Sequence, residues 1–429
     1  MRIGWHGACN CVSMKIVILA ACLVLSAAVS GLSALAGEPV LLTEGSAVEQ
    51  ALRNSLSLKS TRIELETLRR KSATSWNAYL PSLSAGAGLS GSQKPWDLSL
   101  SLSASLPLSL ATPYGARAAL LLYQAAEVRA QEGESALRLE VRRSFNALLL
   151  GREKIALLES STQSASLSAD IARRNYAAGL IAEVEALSAE MTLEKLGPQL
   201  AQARAGFQTA LLELQSLIGL EPGTPVEVQG SFRVPEAQVE AEALVRARLA
   251  SRPDVRAAAL DVELRRSQAG QAAAQARTPT ASLSYSLNGS SRTGTGSWDG
   301  RGSAQLSLSV PLDTWLPGSA GRVQVAEAGD ELAKAELALQ ETRLSAEVEI
   351  RSLVQELQAL SESLRVLEKS ERLARRIYEL RSAEYAAGLT ELTSLRQALD
   401  DHQQAGLDLA SARQQYSDAL AELEHATAQ

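Results

Sequence analysis

Few side chains in this sequence could do chemistry, and none of them falls into a catalytic pattern. Its three cysteines, Cys9, Cys11 and Cys22, all precede Ala36, and beyond that point the only histidines are His402 and His425. A metal centre needs several nitrogen, thiolate or carboxylate ligands converging on one point, so no metal site is read. His402 invites a proton-switch reading, but its spacing fits a polar residue on a helix seam. The carboxylate pairs Glu347/Glu349 and Asp400/Asp401 lie on polar helix faces and read as solvated surface. Gly294-Thr-Gly-Ser-Trp-Asp-Gly300 has neither a strand-to-helix setting nor the Lys-Ser/Thr ending of a phosphate cradle. No nucleophile–base pair stands out, so the chain reads as a non-enzyme without cofactor. What remains is a motif written twice, Tyr176-Ala-Ala-Gly-Leu180 and Tyr385-Ala-Ala-Gly-Leu389, with Glu183, Glu185 and Glu391 close by.

The elements that would position these motifs are also written twice. Pro107 and Pro311 are 204 residues apart, as are Pro113 and Pro317; Tyr176 and Tyr385 are separated by 209, and Pro81 and Pro279 by 198. Such offsets mark a duplicated unit of about 200 residues. We divide the chain into a leader at 1–36, a first repeat at 37–218, a connector with an equatorial helix at 219–252, and a second repeat at 253–429. In the first repeat, strands are expected at about 79–92 and 97–110. Leu98-Ser-Leu-Ser-Leu-Ser-Ala-Ser-Leu-Pro-Leu-Ser-Leu110 is apolar at every even position. In the second repeat, strands are expected at about 279–290 and 303–312, separated by a Gly/Ser-rich loop from Gly289 to Gly302.

These strands look built for a bilayer. Each is long enough to cross one when tilted. Alternating Leu and Ser along the whole length suits lipid on one face and a water-filled lumen on the other. Four strands cannot close a barrel, and open edges in lipid leave backbone groups unsatisfied at several kcal/mol each. Several copies must therefore pool their strands. Trp76, Trp96, Trp298 and Trp315 fall near strand ends, where interfacial aromatics sit.

The helices are longer than globular ones usually are. One run is expected from Ala116 to about Tyr176, returning from Ile181 to Leu217; a second runs from Ala320 to Tyr385, returning from Leu392 to Leu423. Ala346, Ile350, Leu353, Leu357, Leu360, Leu364 and Leu367 alternate steps of four and three, a heptad seam. Leu392, Leu395, Leu399, His402, Gly406 and Leu409 continue it on the return. A single helical run is expected from Gly45 to Trp76, and Gly197-Pro198 is expected to kink or interrupt its helix. Glu236–Ala250 and Pro253–Arg277 read as two helices hinged at Ser251-Arg-Pro-Asp254. The hairpin tips fall near 176–185 and 385–395, where Gly179 and Gly388 turn the chain.

Composition agrees. Aromatic content is 4%, low for a thick core, and the formal net charge of −6 gives no basic footprint for nucleic acid. Lys15 followed by an apolar stretch and Ala34-Leu35-Ala36 reads as a cleaved export signal. Met14 is an alternative start that would leave 1–13 untranslated, and Leu19-Ala-Ala-Cys22 is a rival lipidation site.

In this order the motifs resemble the TolC-type outer-membrane efflux proteins. The carriers are the two tips, Leu217-Ile-Gly-Leu-Glu-Pro-Gly223, Arg252-Pro-Asp-Val255 and the strand-ending prolines. The resemblance covers about Gly37 to Gln429. It implies a mainly α fold with a membrane β part: duplicated coiled-coil hairpins plus four strands per chain. These strands would contribute to a trimeric 12-stranded outer-membrane barrel, continued by an α-barrel across the periplasm. It also implies a periplasmic adaptor protein and an inner-membrane transporter as partners, outer-membrane lipid around the barrel, and a passive exit duct for small molecules or proteins. The family's closed entrance carries over in part. Gap-free matching puts Thr390, Ser394 and Gln397 where its best-known member has charged residues, which weakens an ionic latch there. In a trimer, Glu183, Glu185 and Glu391 would instead ring the entrance with negative charge. Tyr176 and Tyr385 could close that entrance or simply pack beside the tips. The competing reading of the whole chain is an exported structural or adhesive coiled-coil oligomer, which leaves the Leu/Ser strands unexplained.

Overall fold

The computed structural model describes residues 40–91, 97–232, 240–292 and 298–427. The leader with Cys22, the Gln93–Trp96 turn, the end of the extended stretch at Pro235 and most of the Gly294–Gly300 segment lie outside them.

The chain opens with β1 (Val40–Leu42), α1 (Glu44–Asn54) and α2 (Leu56–Ala73). Thr43 caps α1 in a reciprocal box with Ser46, each side chain bonding the other's backbone N–H (2.9 and 3.3 Å). The single run expected from Gly45 to Trp76 is broken at Ser55, which is extended, ends α1 and caps α2. Then follow β2 (Ser82–Ser90), β3 (Asp97–Leu108), a 66-residue α3 (Thr112–Ala177) and α4 (Glu183–Ile218). The connector holds β4 (Val226–Val228) and α5 (Ala241–Arg248). α6 (Pro253–Arg277), β5 (Thr280–Arg292), β6 (Trp298–Ser309), a 67-residue α7 (Ala320–Ala386) and α8 (Leu392–Thr427) repeat the plan. At a rise of ~1.5 Å per residue, α3 and α7 are each about 100 Å long.

Two further expectations are corrected, the first of them as to interruption of the helix. Gly197-Pro198 does not interrupt α4, which is helical throughout. Proline forfeits one backbone bond there, while buried Leu196 with Leu193 and Leu200 packs against Leu158 of α3 and holds both flanks. Nor is Gly289 to Gly302 a loop. β5 runs on to Arg292 and β6 begins at Trp298, so Gly289, Gly300 and Gly302 pair within the ladder. The glycines seat aromatic rings: a Cβ at Gly289 would collide with the Trp298 ring, and one at Gly302 would fall 2.9 Å from the Tyr285 hydroxyl.

The four long strands form one antiparallel sheet in the order β2-β3-β5-β6. Its register aligns the two side-chain classes across all four strands. Ala85, Leu102, Leu287 and Gly302 form one apolar row, and Ser84, Ser103, Ser286 and Ser303 the adjacent polar row. On the polar face the hydroxyls pair across strands, Ser84 with Ser103 at 2.6 Å and Ser286 with Ser303 at 2.8 Å. The apolar face is bare: Leu83, Leu306 and Leu308 are 70–74% exposed. The outer edges of β2 and β6 have no partner among the described residues.

The helical body has two larger cores. Midway along α3, Val141, Phe145, Leu148 and Leu149 pack with Leu42 of β1, Ala47 and Ala51 of α1, Leu214 and Ile218 of α4, and Val228 of β4. Here β1 and β4 form a parallel pair, which periodicity could not locate in two three-residue segments. Gln215 at 1% exposure ties this region together: its amide donates to the Thr224 carbonyl at 2.7 Å and accepts from the Gly223 N–H at 3.0 Å. The second core is the heptad seam, with Leu353, Leu357 and Leu364 of α7 against Leu409, Tyr416 and Leu423 of α8. Arg252 fastens α6 to α7, donating to Asp254 at 2.8 Å and to Glu349 at 2.6 Å.

Candidate functional site

Both hairpins end in the same backbone motif. Leu180 N–H bonds the Asn175 carbonyl (2.9 Å) and Gly179 N–H bonds Tyr176 (2.9 Å); Leu389 bonds Glu384 (2.8 Å) and Gly388 bonds Tyr385 (3.0 Å). This 6→1 and 5→2 pair is the Schellman closure, which needs a residue in the left-handed region. Gly179 (φ 75°) and Gly388 (φ 71°) supply it. The duplicated Tyr-Ala-Ala-Gly-Leu words are therefore helix stops, and the Tyr side chains are free to differ.

They do differ. Tyr176 is 44% exposed, whereas Tyr385 is 5% exposed and packs with Ala169 and Ala172 of α3, Ala189 of α4, and Leu392 and Leu395 of α8. Tyr385 thus docks the second hairpin onto the first, while the turn beyond it, with Leu389, stays exposed. Of the two readings for these tyrosines, packing describes Tyr385. Its hydroxyl has no hydrogen-bond partner among the described residues, and burial, with the nearby Glu185 charge second, raises its pKa above the usual tyrosine range.

The other tip residues separate into two groups. Glu183, Glu185 and Glu391 are exposed; Glu391 accepts from Thr393 at 3.2 Å, and none of the three has an ion pair within the described chain. Thr390 and Ser394 are half-buried, and Gln397 is exposed and donates to Asp401 at 2.8 Å. One junction residue that sequence reasoning missed is Arg396, whose guanidinium donates to Ser188 Oγ of α4 at 3.0 Å and so joins the two hairpins. Nothing in its spacing singles it out from other helix arginines.

His402 lies on the seam as its spacing suggests. Its ring stacks on Tyr378 (centroids 5.7 Å apart, 16° between planes), and its Nδ1 is buried without a partner. Burial lowers its pKa below the ordinary histidine value, a trend opposed by Glu371 and Glu379 and reinforced by Arg375. The ring borders a groove of 570 Å³ that also reaches Glu153 and Lys154 of α3 and Arg413.

The family model described as outer membrane efflux protein matches residues 47–220 and 244–429. The chain belongs to the outer membrane efflux protein family. As a member it is an outer-membrane protein. Among known proteins it is similar to Protein CyaE of Bordetella pertussis, 26% identical over 324 residues that span 70% of this chain and 65% of CyaE. The fold matches the outer membrane protein VceC of Vibrio cholerae (TM-score 0.75, 18% identity, 90% of this chain and 95% of that one). It also matches the CmeC outer membrane channel of Campylobacter jejuni (TM-score 0.76, 19% identity, 90% and 85%).

Two outcomes follow for the helical body of this efflux-family protein. Tyr385→Phe should leave thermal stability unchanged, because no hydrogen bond is lost, whereas Tyr385→Ala should cost about 3–5 kcal/mol; Tyr176→Ala, at an exposed site, should stay within ~0.5 kcal/mol. Differential scanning of the three variants checks this. For His402, the unfolded state binds the proton more tightly than the folded state, so stability should fall as pH drops below the ordinary histidine pKa of about 6.5. His402→Gln should flatten that part of the melting-temperature profile; an unchanged slope would assign it to other groups.

Proposed function

We propose that the chain is one subunit of a homotrimeric outer-membrane exit duct, a passive conduit for small molecules or proteins in a tripartite efflux or type I secretion system. In this reading a periplasmic adaptor and an inner-membrane transporter supply cargo and energy. The single observation that carries it is the sheet: two unpaired edges, one leucine face and one serine face, with neither face covered among the described residues. Among the described residues no helix is both long and apolar enough to cross a bilayer, so the strands are the elements that fit one. Joining β2 of one copy to β6 of the next satisfies both edges, and three copies give twelve strands, within the range of known barrels. The leucine face then meets lipid and the serine face lines water.

The helices extend this argument. α7 carries a second apolar row that nothing among the described residues covers, including Val366, Leu373, Ile377 and Leu380 at 48–68% exposure. Steps of seven, four and three suit a coiled-coil contact with another copy. The repeats at 37–218 and 253–429, joined by the connector 219–252, would then alternate around an α-barrel. Its entrance lies at the hairpin tips: Tyr176, Gly179, Tyr385 and Gly388 shape it, and Thr390, Ser394 and Gln397 line it without ionic latches. Glu183, Glu185 and Glu391 ring it with carboxylates. Opening is a shift between two packings of one bundle, driven by whichever partner binds the open packing better.

Two measurements test this reading. The purified mature protein should run as a trimer in detergent and conduct in planar bilayers. Leu102→Arg, placing a charge on the lipid face at mid-strand, should cost about 2–4 kcal/mol per subunit and abolish assembly, while Ser103→Arg should assemble and alter conductance. Equal tolerance of both variants would contradict the face assignment. Replacing Glu183, Glu185 and Glu391 together by Gln should lower cation preference in reversal-potential recordings; unchanged selectivity would remove the carboxylate ring.

A further inference from the structure

The helical end of the sheet is surrounded by a charge pattern unlike the rest of the chain. No Asp or Glu occurs between Glu66 and Asp97, between Asp97 and Glu127, or between Glu263 and Asp299, and Asp313 is the one acid between Asp299 and Glu327. A protein of net charge −6 thus keeps carboxylates sparse at the four places where chain enters or leaves the sheet at this end, Asp313 after β6 being the one among them. Cations are retained there. Lys71 ends α2, Arg277 ends α6 and Arg322 begins α7; all three are exposed, and none has an ion-pair partner among the described residues.

The strand register fixes where these cations sit. Ser82 pairs with Ser105, Leu108 with Ala281 and Thr280 with Ser309, so the start of β2, the end of β3, the start of β5 and the end of β6 share one edge of the membrane-facing sheet. The segments just beyond that edge expose large apolar and aromatic side chains: Trp76 (56%), Tyr79 (51%), Trp315 (80%) and Leu316 (64%). Trp76, Tyr79 and Trp315 sit in two short 3₁₀ turns, Ser75–Tyr79 and Asp313–Trp315, at corresponding points of the two repeats, and Leu316 directly follows the second. An aromatic collar continuous with the leucine face, followed on its helical side by unpaired cations, has the layering of acyl chain, interface and phosphate.

We propose that this collar binds the headgroups of anionic phospholipids in the leaflet nearest the helical body, with Lys71, Arg277 and Arg322 as the phosphate ligands. The inference rests on the reading that the sheet lies in a bilayer. Three copies would present nine such cations around the barrel. Their effect is to fix the depth of the barrel and to select lipid around it, because each cation near the surface favours anionic over neutral lipid.

The test uses the full mature protein with Trp96→Phe and Trp298→Phe, which leaves Trp76 and Trp315 as its tryptophans, reconstituted into phosphatidylcholine vesicles containing one-fifth phosphatidylglycerol. Bromine is carried on the acyl chains of either the phosphatidylglycerol or an equal amount of the phosphatidylcholine. Brominated phosphatidylglycerol should quench the fluorescence roughly two-fold or more strongly, and Lys71→Gln/Arg277→Gln/Arg322→Gln should erase the difference while keeping the common level of quenching. Equal quenching by both lipids in the unmodified collar, or a difference that survives in the triple variant, overturns the proposal. Absence of quenching by either lipid would instead defeat the bilayer reading on which it stands.

Discussion

Unsatisfied backbone along two sheet edges is the constraint on which the rest of this molecule depends. Over β2 and β6, nine and twelve residues long, every second N–H and C=O points away from the sheet with nothing to meet it in the described chain. In water those groups would be solvated, but the leucine face argues that one side of the sheet meets lipid. In lipid each missing bond costs several kcal/mol, so a whole unpaired edge exceeds the stability margin of a typical domain. The proposed assembly is the solution that uses only what the chain supplies.

The helical body relates to this constraint by geometry. β3 leads into α3 and β6 into α7, and α6 delivers the chain into β5, so the order of the four strands is tied to the order of the helices. Close approach is secured by small residues and by a few specific ties. Gly406 admits Leu157 of α3 to within 3.1 Å of where a Cβ would stand. Asn146 of α3 donates to Asp418 of α8 at 2.7 Å, and Arg252 joins the start of α6 to α7. The Gly406–Leu157 and Asn146–Asp418 links cross between the repeats, so the duplicated halves make one body.

Much of this was legible in the residues because the relevant signals are periodic. Alternation located the strands, steps of three and four located the seam, and the repeated Tyr-Ala-Ala-Gly-Leu located both tips to within a few residues. What periodicity missed is informative. Gly289 to Gly302 looked like a loop because glycine and serine dominate it, yet Trp298 and Tyr285 cover the glycines and keep the ladder going. Gly197-Pro198 looked like a break because local cost was weighed without the packing of Leu193, Leu196 and Leu200. The β1–β4 pair and the Arg396–Ser188 bond depend on segments 186 and 208 residues apart, and no local pattern carries such information. The different burial of Tyr176 and Tyr385 was equally hidden, since identical words meet different neighbours.

The unbroken length of α3 and α7 has a mechanical corollary. Each rod runs from the sheet to a tip, and the core around Phe145 clamps α3 near its middle, about 50 Å from Gly179 at ~1.5 Å per residue. With that clamp as fulcrum, a tilt of about 5° swings the tip by roughly 4 Å, close to the width of a side chain, without breaking any bond inside the helix. In the proposed exit duct, small forces applied far from the membrane are in this way traded for aperture, with the rigid shaft doing the transmission.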